Sequence, residues 1–258
     1  MSGSAGKTAG KTLLCVGTSG WTYDDWAGSF YPPEVKAADR LSYYAERFNT
    51  VEINATFYRL PTETMIGAWN RRLPEGFHLV VKGWRAITHF RKLAECSQPL
   101  DEFLGRVGQL TRLQVVLWQL PPSLHKDTRR LEEFLALLPQ QWRHAVEFRH
   151  ASWWDADTAH VLREHRAAMA AISHPRLPEN VLPTTDFLYV RFHGLGRQLY
   201  RYDYSDAELQ HWVDRLIHHL PGRTLYAFFN NDFQANAPRN AERFRKLLLQ
   251  RLGQIAAS

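Results

Sequence analysis

Apolar positions along this 258-residue chain follow two rhythms that take turns. Short runs rich in β-branched, aromatic and other apolar residues recur at Leu13–Gly17, Thr50–Asn54, His78–Lys82, Gln114–Gln119, Ala145–Arg149, Ala168–Ser173, Leu188–His193 and Leu225–Asn230. Most are continuously apolar, as expected of parallel strands covered by helices. Between them the apolar residues return at helical spacing. Ala38–Phe48 carries Leu41, Tyr44, Ala45 and Phe48 on one stripe, and Thr62–Leu73, Leu100–Leu110, Asp127–Leu138 and Asp155–His165 behave in the same way. Ser205 and Glu208 form a capping-box pattern that opens a helix over Asp206–Leu220, and Pro238 suits the first turn of a helix over Arg239–Leu252. The crossover His174–Asp186 is Pro-rich and without helical period, which predicts a loop or one short turn.

Alternation of strand and helix without repeat or linker predicts an α/β chain, a single parallel (β/α)8 TIM-type barrel over residues 12–258. Eight units closing on themselves leave no exposed edge; an open doubly wound sheet is the alternative. Residues 1–11 are Gly/Ser/Thr/Lys-rich and lack the apolar region of a signal peptide, so a disordered tail is expected there.

Residues two apart in a strand share a face, so strand parity separates helix-facing from inward residues. Val146 and Phe148 take the helix side of their run, leaving Glu147 and Arg149 inward. Leu188, Val190 and Phe192 likewise leave Tyr189, Arg191 and His193 inward. The same reading turns Glu52, Asn54, Lys82, Gln119 and Asn230 inward, all toward the carboxyl ends of their strands, where sites of this fold are built. A purely structural core would use Val, Ile or Leu instead, because unpartnered buried charge costs several kcal/mol. Paired with one another, Glu147 with Arg149 or Glu52 with Lys82, the same residues would be ion pairs with no further role.

Composition narrows this picture. Hydrophobic residues at 45% and aromatics at 13% exclude a disordered chain, and the apolar runs are too short to cross a bilayer. The charge is +6, of which Lys7 and Lys11 supply two, so the folded part is only mildly basic. Its 25 Arg against 7 Lys favour planar recognition of phosphate or carboxylate. Cys15 and Cys96 have no metal-like spacing and read as two thiols of a cytoplasmic protein. Aromatic residues crowd the segments after the strands: Trp21, Tyr23, Trp26, Phe57, Tyr58, Trp84, Trp153 and Trp154.

The words GTSGW from Gly17, FYP from Phe30, TVEIN from Thr50, TFYR from Thr56, ITH from Ile87, QLPP from Gln119, AVEFR from Ala145, YVRFHG from Tyr189 and FNND from Phe229 stand in one order. In that order they resemble the YecE-like family, domain of unknown function 72, from about Val16 to Phe244. The resemblance implies a TIM-type barrel and no settled biochemistry. Members often carry an Asp after the sixth strand, where this chain has Ser173 and His174.

The functional expectation is an enzyme, of hydrolase or lyase/isomerase type, acting on an anionic substrate such as a phosphorylated sugar or a nucleotide-like compound. Glu147, Glu52, Lys82 and His193 are the candidate catalytic groups. Arg149, Arg191, Asn54, Gln119, Asn230, Asp232, Trp21, Tyr58, Arg85 and His89 are the candidate substrate-binding groups. Lys82 as a Schiff-base amine is a variant of this reading. No cofactor is expected, and the cationic inward set disfavours a metal, although a metal-dependent phosphodiesterase or endonuclease-like enzyme is an alternative. A second alternative, without catalysis, is a protein for single-stranded or damaged nucleic acid, in which aromatic faces and arginines take the bases and phosphates. No membrane partner is expected.

Overall fold

The computed structural model describes residues 12–257, so the N-terminal tail expected over 1–11 lies outside the described residues. The chain forms two all-parallel sheets. One has the order β1 (Leu13–Thr18), β9 (Thr224–Phe229), β8 (Phe187–Phe192) and β7 (Ala171–Ser173). The other runs β2 (Thr50–Ile53), β3 (His78–Lys82), β4 (Leu113–Gln119), β5 (Arg143–Glu147) and β6 (Ala167–Met169). The fold is therefore α/β with parallel strands, but its backbone ladder is not one continuous ring.

Both junctions between the sheets have a local cause. The single sixth strand expected over Ala168–Ser173 is two short ones, because the segment changes partner: β6 bonds to β5, β7 bonds to β8, and Ala170 lies between them. Ala170 still donates its N–H to the Val146 carbonyl at 2.9 Å. The crossover after β7 has no helix, as its prolines predict. Thr184 from that loop covers the β6 edge instead, its hydroxyl donating to the Ala167 carbonyl at 2.7 Å and accepting from the Met169 N–H at 3.0 Å. At the other junction Ser19 and Glu52 form a single parallel bridge. Tyr44, on helix α1 (Arg40–Ala45), ties the same seam: its hydroxyl accepts from the Thr18 N–H at 2.9 Å and donates to the Thr50 carbonyl at 3.1 Å. A Cβ at Gly17 would stand 2.4 Å from that Thr50 carbonyl oxygen, so no larger residue fits between β1 and β2.

Helices cover the outer faces at about the positions their periodicity predicts. They include α3 (Glu63–Arg72), α4 (Ser97–Val107), α5 (Thr128–Ala136), α6 (Ala156–Glu164), α7 (Asp206–Ile217) and α8 (Asn236–Ala257), with the short α2 (Ala55–Tyr58) after β2. The Ser205–Glu208 capping box is formed. Helix α1 is shorter than expected, because a 3-10 turn at Ala37–Asp39 precedes it. Alternation along the strands divides the core in two. Val51, Ile53, Val146, Leu188, Val190 and Phe192 pack under the helices, whereas Cys15, Val80, Val115, Leu117, Ala145, Ala168, Phe187, Tyr189, Tyr226 and Phe228 from both sheets form an interior cluster. The polar inward residues continue that interior toward the carboxyl ends of the strands.

Candidate functional site

Above the interior cluster sits a buried charge network. Arg191, 1% exposed, donates from Nη2 to Oε1 of Glu52 at 2.6 Å and from Nη1 to Oε2 of Glu147 at 2.8 Å. Glu52 also accepts from the Ser19 hydroxyl at 2.7 Å and the Tyr189 hydroxyl at 2.5 Å. Glu147 takes a second guanidinium, Nε of Arg149. Arg149 Nη2 lies 2.9 Å from His193 Nε2, and the Asn230 amide lies 3.2 Å from His193 Nδ1. A neutral imidazole satisfies both neighbours if Nε2 accepts from Arg149 and Nδ1–H donates to an Asn230 amide turned oxygen-first.

The electrostatics follow from burial and pairing. Desolvation alone pushes the Glu147 carboxyl up, but Arg149, Arg191 and His193 outweigh it and hold it well below the usual carboxylate range. Burial, then the Arg149 charge, keeps His193 unprotonated. Glu52 and Glu147 thus balance Arg149 and Arg191, and the network is formally neutral without any fifth charge.

The fifth charge is Lys82. It lines a cavity of 310 Å3 with Tyr23, Asn54, Tyr58, Gln119, Arg149, Tyr200, Asn230 and Asp232. Among the described residues no carboxylate is in salt-bridge contact with its amine; Nζ lies over the Phe57 ring, 4.1 Å from its centre. Burial and then the Arg191 charge lower its pKa to about 7, against the pull of Glu147 and Glu52. The Asn54 Oδ1 in the same wall is buried and has no hydrogen-bond partner. Burial raises the Asp232 carboxyl pKa, while the Tyr23 hydroxyl opposes the rise.

The expected site residues thus separate. Lys82, Asn54, Gln119, Arg149, Asn230, Asp232 and Tyr58 meet at the cavity. Glu52, Glu147, Arg191 and His193 lie behind it, buried in the network. His89 packs on Phe57 at the rim, 4.8 Å between ring centres, and burial followed by the charge of Lys82 lowers its pKa to about 4. Arg85 stands outside, over Tyr58. Trp21 does not reach the cavity: it is 8% exposed and packs edge-on against Trp69. Ser173, where the resemblance expects an Asp, accepts a hydrogen bond from the Tyr204 hydroxyl at 2.8 Å.

Sequence reasoning did not single out Ser19, Tyr23 or Tyr200 as site residues. Ser19 and Tyr23 stand just past β1, and parity would have carried Ser19 inward from Cys15 and Gly17. Tyr200 had no such signal. It adopts φ +73°, its N–H donating to the His193 carbonyl at 2.9 Å, and it lies where the Lys82 cavity adjoins a larger one of 620 Å3. That second cavity shares Gln119, Arg149 and Tyr200 and adds His150, His174 and Arg176. Among the described residues no group of three or more His, Cys, Asp or Glu is arranged to hold a metal ion. Cys15 and Cys96 are buried free thiols, and among the described residues no helix is long and apolar enough to cross a membrane.

A parallel α/β fold with a polar interior at its strand ends is the setting in which the relatives of this chain enter. The family model described as protein of unknown function DUF72 matches residues 15–257, and the chain belongs to that family. It is 26% identical to the UPF0759 protein YunF of Bacillus subtilis over 92% of this chain and 95% of that one. With the UPF0759 protein YecE of Escherichia coli it shares 24% identity over 95% of this chain and 96% of that one. The crystal structure of a DUF72 family protein from Thermotoga maritima aligns with a TM-score of 0.83 at 30% identity, covering 92% of this chain and 99% of that one.

Proposed function

We propose that this chain is an enzyme acting on a small anionic substrate, a phosphorylated sugar or nucleotide-like compound, with Lys82 as the group that binds the anion and transfers the proton. Its setting would be a single (β/α)8 barrel in which the Ser19–Glu52 bridge and Ala170 join the two sheets. The observation that carries the reading is the charge balance. The Glu52–Glu147–Arg149–Arg191 network balances itself, and although Asp232 also lines the cavity, no carboxylate among the described residues is in salt-bridge contact with the Lys82 amine, which leaves it free to meet an anion from outside. An anion there would gain a charge-assisted hydrogen bond and relieve the desolvation of the amine.

A free amine with a pKa of about 7 suits general acid–base work, because both protonation states are populated near neutral pH. Glu147 and His193 are held far from that condition, and their part is to fix Arg149, which reaches the cavity. Asn54, Gln119 and Asn230 would orient polar groups of the substrate, in the manner expected of a lyase or isomerase-type reaction.

Calorimetric titration with ribose 5-phosphate tests the reading. The parent protein should bind it, and Lys82→Met should weaken binding by at least about tenfold, the loss of one charged hydrogen bond. Equal affinity in the two proteins would contradict the reading.

A further inference from the structure

The mouth of the Lys82 cavity carries a ladder of rings and cations that the binding of a bare anion does not require. Lys82 Nζ lies over the Phe57 ring, and Phe57 meets Tyr58 edge-on at 5.0 Å between centres. The Arg85 guanidinium then lies 5.6 Å from the Tyr58 ring centre and 5.4 Å from that of Phe90. Arg85, like Lys82, has no carboxylate in salt-bridge contact among the described residues. Tyr58 is 61% exposed and Phe90 71%, the two highest values among the exposed large apolar side chains. Tyr58 also lines the cavity itself.

The backbone beneath Phe90 is unusual as well. Ala86–Phe90 is one π-helical turn, a rare form that concentrates at functional sites. It runs directly into Lys92, Leu93 and Glu95, three non-glycine residues at φ between 46° and 71°. The π-helical turn ends on Phe90, whose ring stands in solvent just before that strained path.

We infer that Tyr58, Arg85 and Phe90 form a stacking platform for the planar ring of a nucleoside phosphate whose anionic end is held at Lys82. The inference rests on the anion-binding reading of the cavity and narrows its ligand from any phosphorylated compound to one with a base attached, free or at the end of a strand. Aromatic faces with an intervening guanidinium suit any base, since stacking and cation–π contact read the ring and not its hydrogen-bonding edge.

The test compares AMP, ribose 5-phosphate, adenosine and a short oligothymidylate by calorimetry on the parent protein and on Phe90→Ala and Tyr58→Ala, both exposed positions. AMP or the oligonucleotide should bind on the order of tenfold more tightly than ribose 5-phosphate; Phe90→Ala should weaken only the base-bearing ligand by a similar factor, and Tyr58→Ala, at a residue that also lines the cavity, should weaken AMP more than ribose 5-phosphate. A stronger response of the oligonucleotide would identify a strand end as the source of the nucleotide. If AMP and ribose 5-phosphate bind equally and the substitutions change neither, the platform is overturned while the anion pocket stands. If adenosine binds as well as AMP, the anion reading fails and the ring platform remains. If no ligand binds, both fail.

Discussion

Lys82 is placed where an amine is costly, with no carboxylate among the described residues in salt-bridge contact. With a folded pKa of about 7 against an ordinary 10.5, the unfolded chain holds a proton that the folded one has released between those two values. Stability therefore rises with pH across that window, and below pH 7 the whole penalty of the buried charge is present. Lys82→Met should raise the melting temperature at pH 6 by at least about 4 °C, with the margin shrinking toward pH 10. An unchanged melting temperature at both pH values would mean that the amine is not desolvated. The opposite sign is expected at Glu147. Its lowered pKa contributes stability that is present above the ordinary carboxylate range and lost as the pH falls through the acid range. Glu147→Gln leaves Arg149 and Arg191 short of a carboxylate and should cost about 3–5 kcal/mol by urea denaturation. A change below about 1 kcal/mol would show that the network is not what holds these guanidinium groups. The inward positions of Glu147, Arg191 and Lys82 were legible, since parity depends only on spacing. Which of them faced the cavity was not, because that depends on how far each side chain is covered by partners from other strands.

At the scale of elements, the strands were readable from their apolar runs and the helices from their stripes. Boundaries moved where tertiary contacts intervene: β5 begins at Arg143 and stops at Glu147, leaving Phe148 and Arg149 beyond the ladder. The split between β6 and β7 had no local signal, since AAMAAIS is as continuous as any other run and only the change of neighbour breaks it. Gly83, which follows Lys82 at the end of β3, shows how tightly an element positions the site. A Cβ there would stand 2.3 Å from the buried Trp118 ring. Gly83→Ala should therefore cost about 1–3 kcal/mol and, by shifting the end of β3, weaken ribose 5-phosphate binding as well. Parent-like stability and affinity would show that the strand end yields without moving the amine.

For the whole molecule, two parallel sheets share one interior, apolar at the amino ends of the strands and polar at the carboxyl ends. The family resemblance was legible because its words lie at those strand ends. The full cavity was not, because Tyr23 and Tyr200 reach it from loops far apart in sequence, and Tyr200 does so in a backbone conformation that a sequence does not announce.

The central claim is that the Lys82 amine, with no carboxylate among the described residues in salt-bridge contact, receives the substrate's anion. Proton uptake on binding tests it most directly, measured by titrating ribose 5-phosphate at pH 8 in buffers of differing ionisation enthalpy. At that pH the free amine is mostly neutral, so binding should take up most of a proton per ligand, and Lys82→Met should abolish the uptake. Binding without proton uptake, or uptake that survives Lys82→Met, would contradict the account.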